Sequence, residues 1–135
     1  MVSDSVSLSK RRNKMSEKTM TPEEKYEHII MQAMDIIMNS GDARNFASQA
    51  FDKIVEGDYE AARALLKEAD KVQTAAHVTQ TEMIQGDIRG GDEKMEYSVL
   101  FAHAQDTLMT IQVEINMTKN FLKYAEAIDK KIKGE

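Results

Sequence analysis

From Tyr97 to the C-terminus, apolar residues recur in sevens. Tyr97, Ala104, Ile111, Ala125 and Ile132 form one line, and Phe101, Leu108, Ile115 and Leu122 form another. Residues seven apart return to nearly the same side of an α-helix, and two such lines make the a/d seam along which long helices pack. Thr118 and Asp129 interrupt it. A helix from about Lys94 to about Lys133 is predicted, with Lys130, Lys131 and Lys133 suiting the negative end of its dipole. A second line, Val99, Ala102, Asp106, Met109 and Val113, runs along a different side. One stripe suffices to close a three-helix bundle. Two stripes either serve one wide core face or pack the helix against another subunit.

Partners for this helix lie upstream. Thr21-Pro22-Glu23-Glu24 is a helix start: Thr21 caps, Pro22 suits the first helical position and Glu24 completes a capping box. Tyr26, Ile30, Ala33 and Ile37 then form an apolar stripe, opposite a polar one of His28, Gln32, Asp35 and Asn39. Asn39-Ser40-Gly41-Asp42 is expected to end this helix. A second helical segment carries Ala43, Phe46, Ala47, Ala50, Phe51, Ile54 and Val55, and Tyr59 to Met83 continues on a helical period. Between the two parts stand Gly57, suited to a C′ position, and Asp58, suited to an N-cap, so the second helix is either interrupted or kinked there. Gly86 to Asp92 reads as a loop. The expectation is an all-α, antiparallel three-helix bundle over residues 21–135, preceded by a flexible tail, 1–20, rich in Ser, Lys and Arg.

Composition narrows the function. A net charge of −5 with no basic block after the tail makes nucleic acid a poor partner. No cysteine is present, so thiolate zinc sites, disulfides and cysteine nucleophiles are excluded. The chain holds no apolar run of membrane-spanning length and no secretory leader, which points to the cytoplasm. The ten methionines are expected to fill gaps in the helical core.

Neither a phosphate-binding glycine loop nor a His-Glu-x-x-His helix occurs. The chemistry must therefore be sought among three histidines. His28 falls on a polar stripe and His77 near the end of the second helical region. His103 has Asp106 and Thr107 within one helical turn, where a carboxylate or hydroxyl can orient an imidazole. His and Asp at this spacing are also common on solvated helices. Asp106 is odder, because a carboxylate within an apolar line needs a partner, a proton or a metal.

The motifs NSGDAR at Asn39 to Arg44, GDYEAA at Gly57 to Ala62, AHVTQT at Ala76 to Thr81 and HAQDTLMT at His103 to Thr110 resemble those of a known family. This is the enzyme IIA component of the lactose and cellobiose/chitobiose branch of the bacterial sugar phosphotransferase system. The resemblance spans nearly the whole chain after Met20, and the alanine following His103 is closer to the cellobiose/chitobiose side. It implies a trimer of three-helix subunits and a phosphorylated histidine at His103. It also implies a divalent metal ion, magnesium by preference, shared on the trimer axis by one Asp106 from each subunit. The implied donor is the histidine-containing phosphocarrier protein, and the implied acceptor is a cysteine of the cognate enzyme IIB. His77, Gln80, Gln105 and Thr107 are candidate supporting groups. Thr107 departs from the pattern, which has a second histidine there, and Ala76 stands where an acidic residue is common. The rival readings are a non-catalytic helical adaptor and a regulatory relative that has lost transfer.

Overall fold

The computed structural model describes residues 19–135. Three α-helices make up nearly all of it: α1 (Pro22–Val55), α2 (Tyr59–Arg89) and α3 (Val99–Lys133), with a 3-10 turn at Gly91–Glu93 before α3. No strand occurs among the described residues. The segment read as a tail, 1–20, lies outside them apart from Thr19 and Met20.

The capping box at Thr21 forms as the sequence predicts. The Glu24 N–H donates to Thr21 Oγ1 at 3.2 Å, and the Thr21 N–H donates to Glu24 Oε2 at 3.0 Å. The expected end at Asn39–Asp42 is overturned, since α1 runs through it unbroken to Val55. The physical reason is a continuous core line. Ala33, Ile36, Ser40, Ala43, Ala47, Ala50 and Ile54 are all buried, in steps of three and four. Packing along this whole line outweighs the turn preference of four residues. Asn39 turns its amide back on Asp35, donating to its carbonyl and its Oδ1 at 3.1 Å each. The buried stripe is also rotated from the one expected, and Tyr26 is exposed.

Gly57-Asp58 is not a break within the second helix but the boundary between α1 and α2. Gly57 has φ 78°, and Asp58 Oδ1 accepts from the Ala61 N–H at 3.1 Å. The predicted loop at Gly86 begins later, because α2 continues to Arg89, and α3 starts at Val99 behind the Ser98 cap rather than at Lys94. The connection is tied down twice: the Met95 N–H donates to Asp87 Oδ1 at 2.8 Å, and Lys25 of α1 pairs with Asp92 at 3.0 Å.

Each helix presents one heptad line to the others. On α2 it is Ala62, Leu66, Ala69, Gln73, Ala76, Gln80 and Met83; on α3 it is Phe101, Ala104, Leu108, Ile111, Ile115, Thr118 and Leu122. Thr118 does not break the α3 seam, since its hydroxyl donates to the Glu114 carbonyl at 2.8 Å and its methyl can face the core. Tyr97 and Ile132, placed on the seam by their spacing, are exposed beyond its ends.

Polar pairs bind the helices along their edges. Arg44 grips Glu114 through two 2.8 Å hydrogen bonds, Lys119 meets Asp70 at 2.7 Å, and Arg63 pairs with Glu126. The Arg44–Glu114 contact raises the Arg44 pKa, chiefly through its hydrogen bonds.

Of the 17 buried apolar residues described, eight are alanine, including Ala33, Ala47, Ala62 and Ala104. Small residues at the seam let helix axes approach closely. Larger apolar side chains stand outside: Met31, Met38, Met109, Val113, Met117, Phe121 and Tyr124 are exposed. The expectation that methionine fills the core is therefore corrected, with Met83 the buried one among the described methionines.

Candidate functional site

The first turns of α3 build the site. Ser98 Oγ accepts from the Phe101 N–H at 3.2 Å and starts the helix. Phe101, Ala104 and Leu108 then lock one side into the core with Ala33, Ile36, Ala76 and Met83. That anchoring fixes where the other side chains of the turn point. His103 is exposed, and Asp106, about 60° around a 3.6-residue helix from it, is exposed as well.

Asp106 sits within the second apolar line. Val99 is 74% exposed, Met109 52% and Val113 60%, with Ala102 half-buried. These residues are thus outside the core of the chain, which removes the reading that both α3 stripes serve one wide core face. Asp106 enters no hydrogen bond or ion pair with the described residues. No group of three or more His, Asp or Glu able to hold a metal occurs among the described residues. One chain offers a cation a single hard carboxylate, so Asp106 fits as a share of a ligand set, not as a complete site.

The candidate supporting residues divide. Thr107 donates its hydroxyl to the His103 carbonyl at 2.8 Å, so it braces the helix backbone rather than the imidazole. Gln105 is half-buried, His77 is exposed on α2, and Gln80 is buried on the α2 core line between Ala76 and Met83. No hydrogen bond joins His77, Gln80 or Gln105 to His103 among the described residues. His28 lines a different cavity, of about 490 Å³, together with Glu82 and Arg89.

Sequence reasoning missed the groove beside His103. It measures about 870 Å³ and runs between the start of α1 and the segment leading into α3. Ile29, Ile30 and Leu100 contribute apolar surface, Tyr26 and Tyr97 aromatic surface, and Lys25, Lys94 and Glu96 its charges. Tyr26 had been assigned to the core and Lys94 to the helix, so no pattern in the chain pointed to their meeting.

No helix among the described residues is long and apolar enough to cross a membrane. Residues 31–126 match the family model of the lactose/cellobiose-specific IIA subunit of the phosphotransferase system. The N,N'-diacetylchitobiose-specific EIIA component of Escherichia coli K12 is 34% identical over 110 residues, which cover 82% of this chain and 90% of that protein. The crystal structure of the cellobiose-specific enzyme IIA from Bacillus anthracis matches with a TM-score of 0.70 at 34% identity, covering 83% of this chain and 95% of that one. The solution structure of the IIA(chitobiose)–HPr complex of Escherichia coli matches with a TM-score of 0.66 at 32% identity, covering 75% and 96%. Over this span the exposed His103, the alanine-lined seam and the three long helices occur together, and the chain belongs to the lactose/cellobiose-specific IIA subunits of the sugar phosphotransferase system.

Proposed function

We propose that this IIA subunit is a cytoplasmic phosphocarrier whose His103 takes a phosphoryl group from the histidine-containing phosphocarrier protein and passes it to a cysteine of a cognate enzyme IIB. The transported sugar would be a β-linked disaccharide of the cellobiose, chitobiose or lactose type. The observation that carries the proposal is the exposure of His103 on a rigidly anchored turn of α3, within the segment that matches the family. The HPr complex of a relative supports the donor.

The transfer balances without a cofactor. The Nε2 lone pair of neutral His103, remote from the backbone, forms a bond to phosphorus as the bond from phosphorus to the donor's protonated phosphoimidazole breaks. That electron pair returns to the donor ring, which leaves as neutral imidazole, and His103 keeps its Nδ1 proton. Nothing is oxidised or reduced. Such a step needs mainly positioning and charge stabilisation.

The proposed assembly is a homotrimer of antiparallel three-helix subunits. Rising numbers on α2 meet falling numbers on α3, in the pairs Tyr59–Ala125, Asp70–Lys119 and Gln73–Leu108, which supports the antiparallel arrangement. The exposed line of Val99, Met109 and Val113 would bring one Asp106 per subunit to the axis, where a divalent cation such as magnesium neutralises three carboxylates. Its role there is structural.

Transfer is tested with the phosphorylated donor. His103→Ala is expected to abolish acid-labile phosphorylation with helicity intact, whereas His77→Ala at most slows it. Phosphate mapped to His77, or labelling that survives in His103→Ala, overturns the assignment. Failure of the parent protein to accept phosphate would favour the adaptor or regulatory reading.

A further inference from the structure

A phosphoryl group on His103 carries about 1.5 to 2 negative charges on its oxygens near neutral pH, against the single proton that the ring keeps on Nδ1. Its immediate surroundings offer little to balance them. The Thr107 hydroxyl is committed to the His103 carbonyl at 2.8 Å. Gln105 is neutral, and Asp106 has the wrong sign. Moreover α3 carries no lysine or arginine from Val99 to Thr118, the first being Lys119, more than four helical turns beyond His103. Within this chain the counter-charge has to come from another element.

The groove adjoining His103 brings two lysines to it, Lys25 from α1 and Lys94 from the α2–α3 connection, together with one carboxylate, Glu96. Lys25 is already paired with Asp92 at 3.0 Å. Lys94 enters no ion pair with the described residues. Its backbone is nevertheless anchored, because its N–H donates to the Gly91 carbonyl at 3.2 Å. A fixed backbone beneath an uncommitted ammonium is suited to meeting a charge that arrives only with phosphorylation. Lysine serves phosphate well as a point charge on a flexible stem.

We propose that Lys94 is a phosphate-binding residue for transfer, its ammonium reaching across the groove to the phosphoryl oxygens on His103 and stabilising the phosphorylated state. The inference rests on phosphorylation of His103, and the two fail separately. Uptake of phosphate by the parent protein tests the first, and the difference between parent and Lys94 variants tests the second.

The informative quantity is the equilibrium constant for transfer between the phosphorylated donor and the full-length protein. Residues that only dock the donor change the rate in both directions and leave this constant untouched, so a shift reports on the phosphorylated state itself. Lys94→Gln is expected to lower the constant about three- to fivefold, in the range of a partly exposed ion pair, and Lys94→Arg to restore most of it. Raising the salt concentration is expected to lower the constant of the parent more steeply than that of Lys94→Gln. Phosphorus NMR of the parent and of Lys94→Gln is expected to show a displaced phosphohistidine signal. Circular dichroism confirms in each case that the helices are intact. An unchanged constant and an unshifted signal in a folded Lys94→Gln, or a loss that Lys94→Arg fails to restore, overturns the proposal.

Discussion

Gln73 occupies a seam position at 2% exposure, between the buried Ala69 and Ala76. Its Nε2 donates to the Leu108 carbonyl at 2.8 Å, but its Oε1, like Ser40 Oγ, is buried with no hydrogen-bond partner among the described residues. Losing the hydrogen bond costs about 1 kcal/mol, and burying the unpaired oxygen already costs a comparable amount. Gln73→Met keeps the volume and removes both terms, so urea unfolding is expected to differ from the parent by less than about 1 kcal/mol. Gln73→Ala leaves a cavity as well and is expected to cost about 2 kcal/mol or more. The residues of the proposed site were legible to different degrees. His103 stood out because an eight-residue motif begins with it. Thr107 was a candidate on spacing alone, and spacing does not reveal that its hydroxyl turns to the backbone. Lys94, proposed above to meet the phosphoryl group, could not be picked out from the sequence, because its place beside the groove depends on where the segment leading into α3 crosses the start of α1.

Among elements, α1 diverged most from expectation. Asn39-Ser40-Gly41-Asp42 has the composition of a turn, and local chemistry carries no information about a core line that runs past it. Ser40 lies on that line and its burial could not be read from residue type. The heptad of α3 was legible because its apolar residues are large, whereas the alanines and the serine on the α1 seam mark their positions weakly. Glycine substitutions test the revised boundaries. A Cβ at Gly41 meets nothing within 4 Å, and the residue is helical. Gly41→Ala is therefore expected to stabilise the fold by about 0.5–1 kcal/mol, the helix-interior difference between the two residues. Gly57 has φ 78° and also open space around it. Gly57→Ala is expected to destabilise by about 1 kcal/mol because of backbone conformation alone. Thermal unfolding of both variants decides the matter. Opposite signs as stated support one helix through residue 41 and a turn at 57, while a destabilised Gly41→Ala would restore a break at 39–42.

At the scale of the whole molecule, alanine lines the inside while Val99, Met109, Val113, Met117 and Phe121 lie along the outside of α3. A seam of small residues buries little area per residue, so the intrachain core is thin for helices of 31 to 35 residues. An exposed apolar line of this length is characteristic of a surface that another chain covers. Asp106 interrupts that line, and three copies meeting on an axis would repel one another unless a cation sat between them. The trimer proposal therefore predicts linked behaviour. Light scattering is expected to give about three times the 15.3 kDa of the chain. A chelator is expected to weaken assembly at low protein concentration, since a ligand that binds only the assembled state stabilises it by mass action. Asp106→Asn removes the repulsion along with the metal site, and its trimer is expected to be insensitive to the chelator. A stable monomer at micromolar concentration would remove the assembly and the shared metal together. If chelation stopped transfer while the trimer persisted, the cation would belong to the chemistry rather than to the architecture, and Asp106→Asn would lose transfer in the same way.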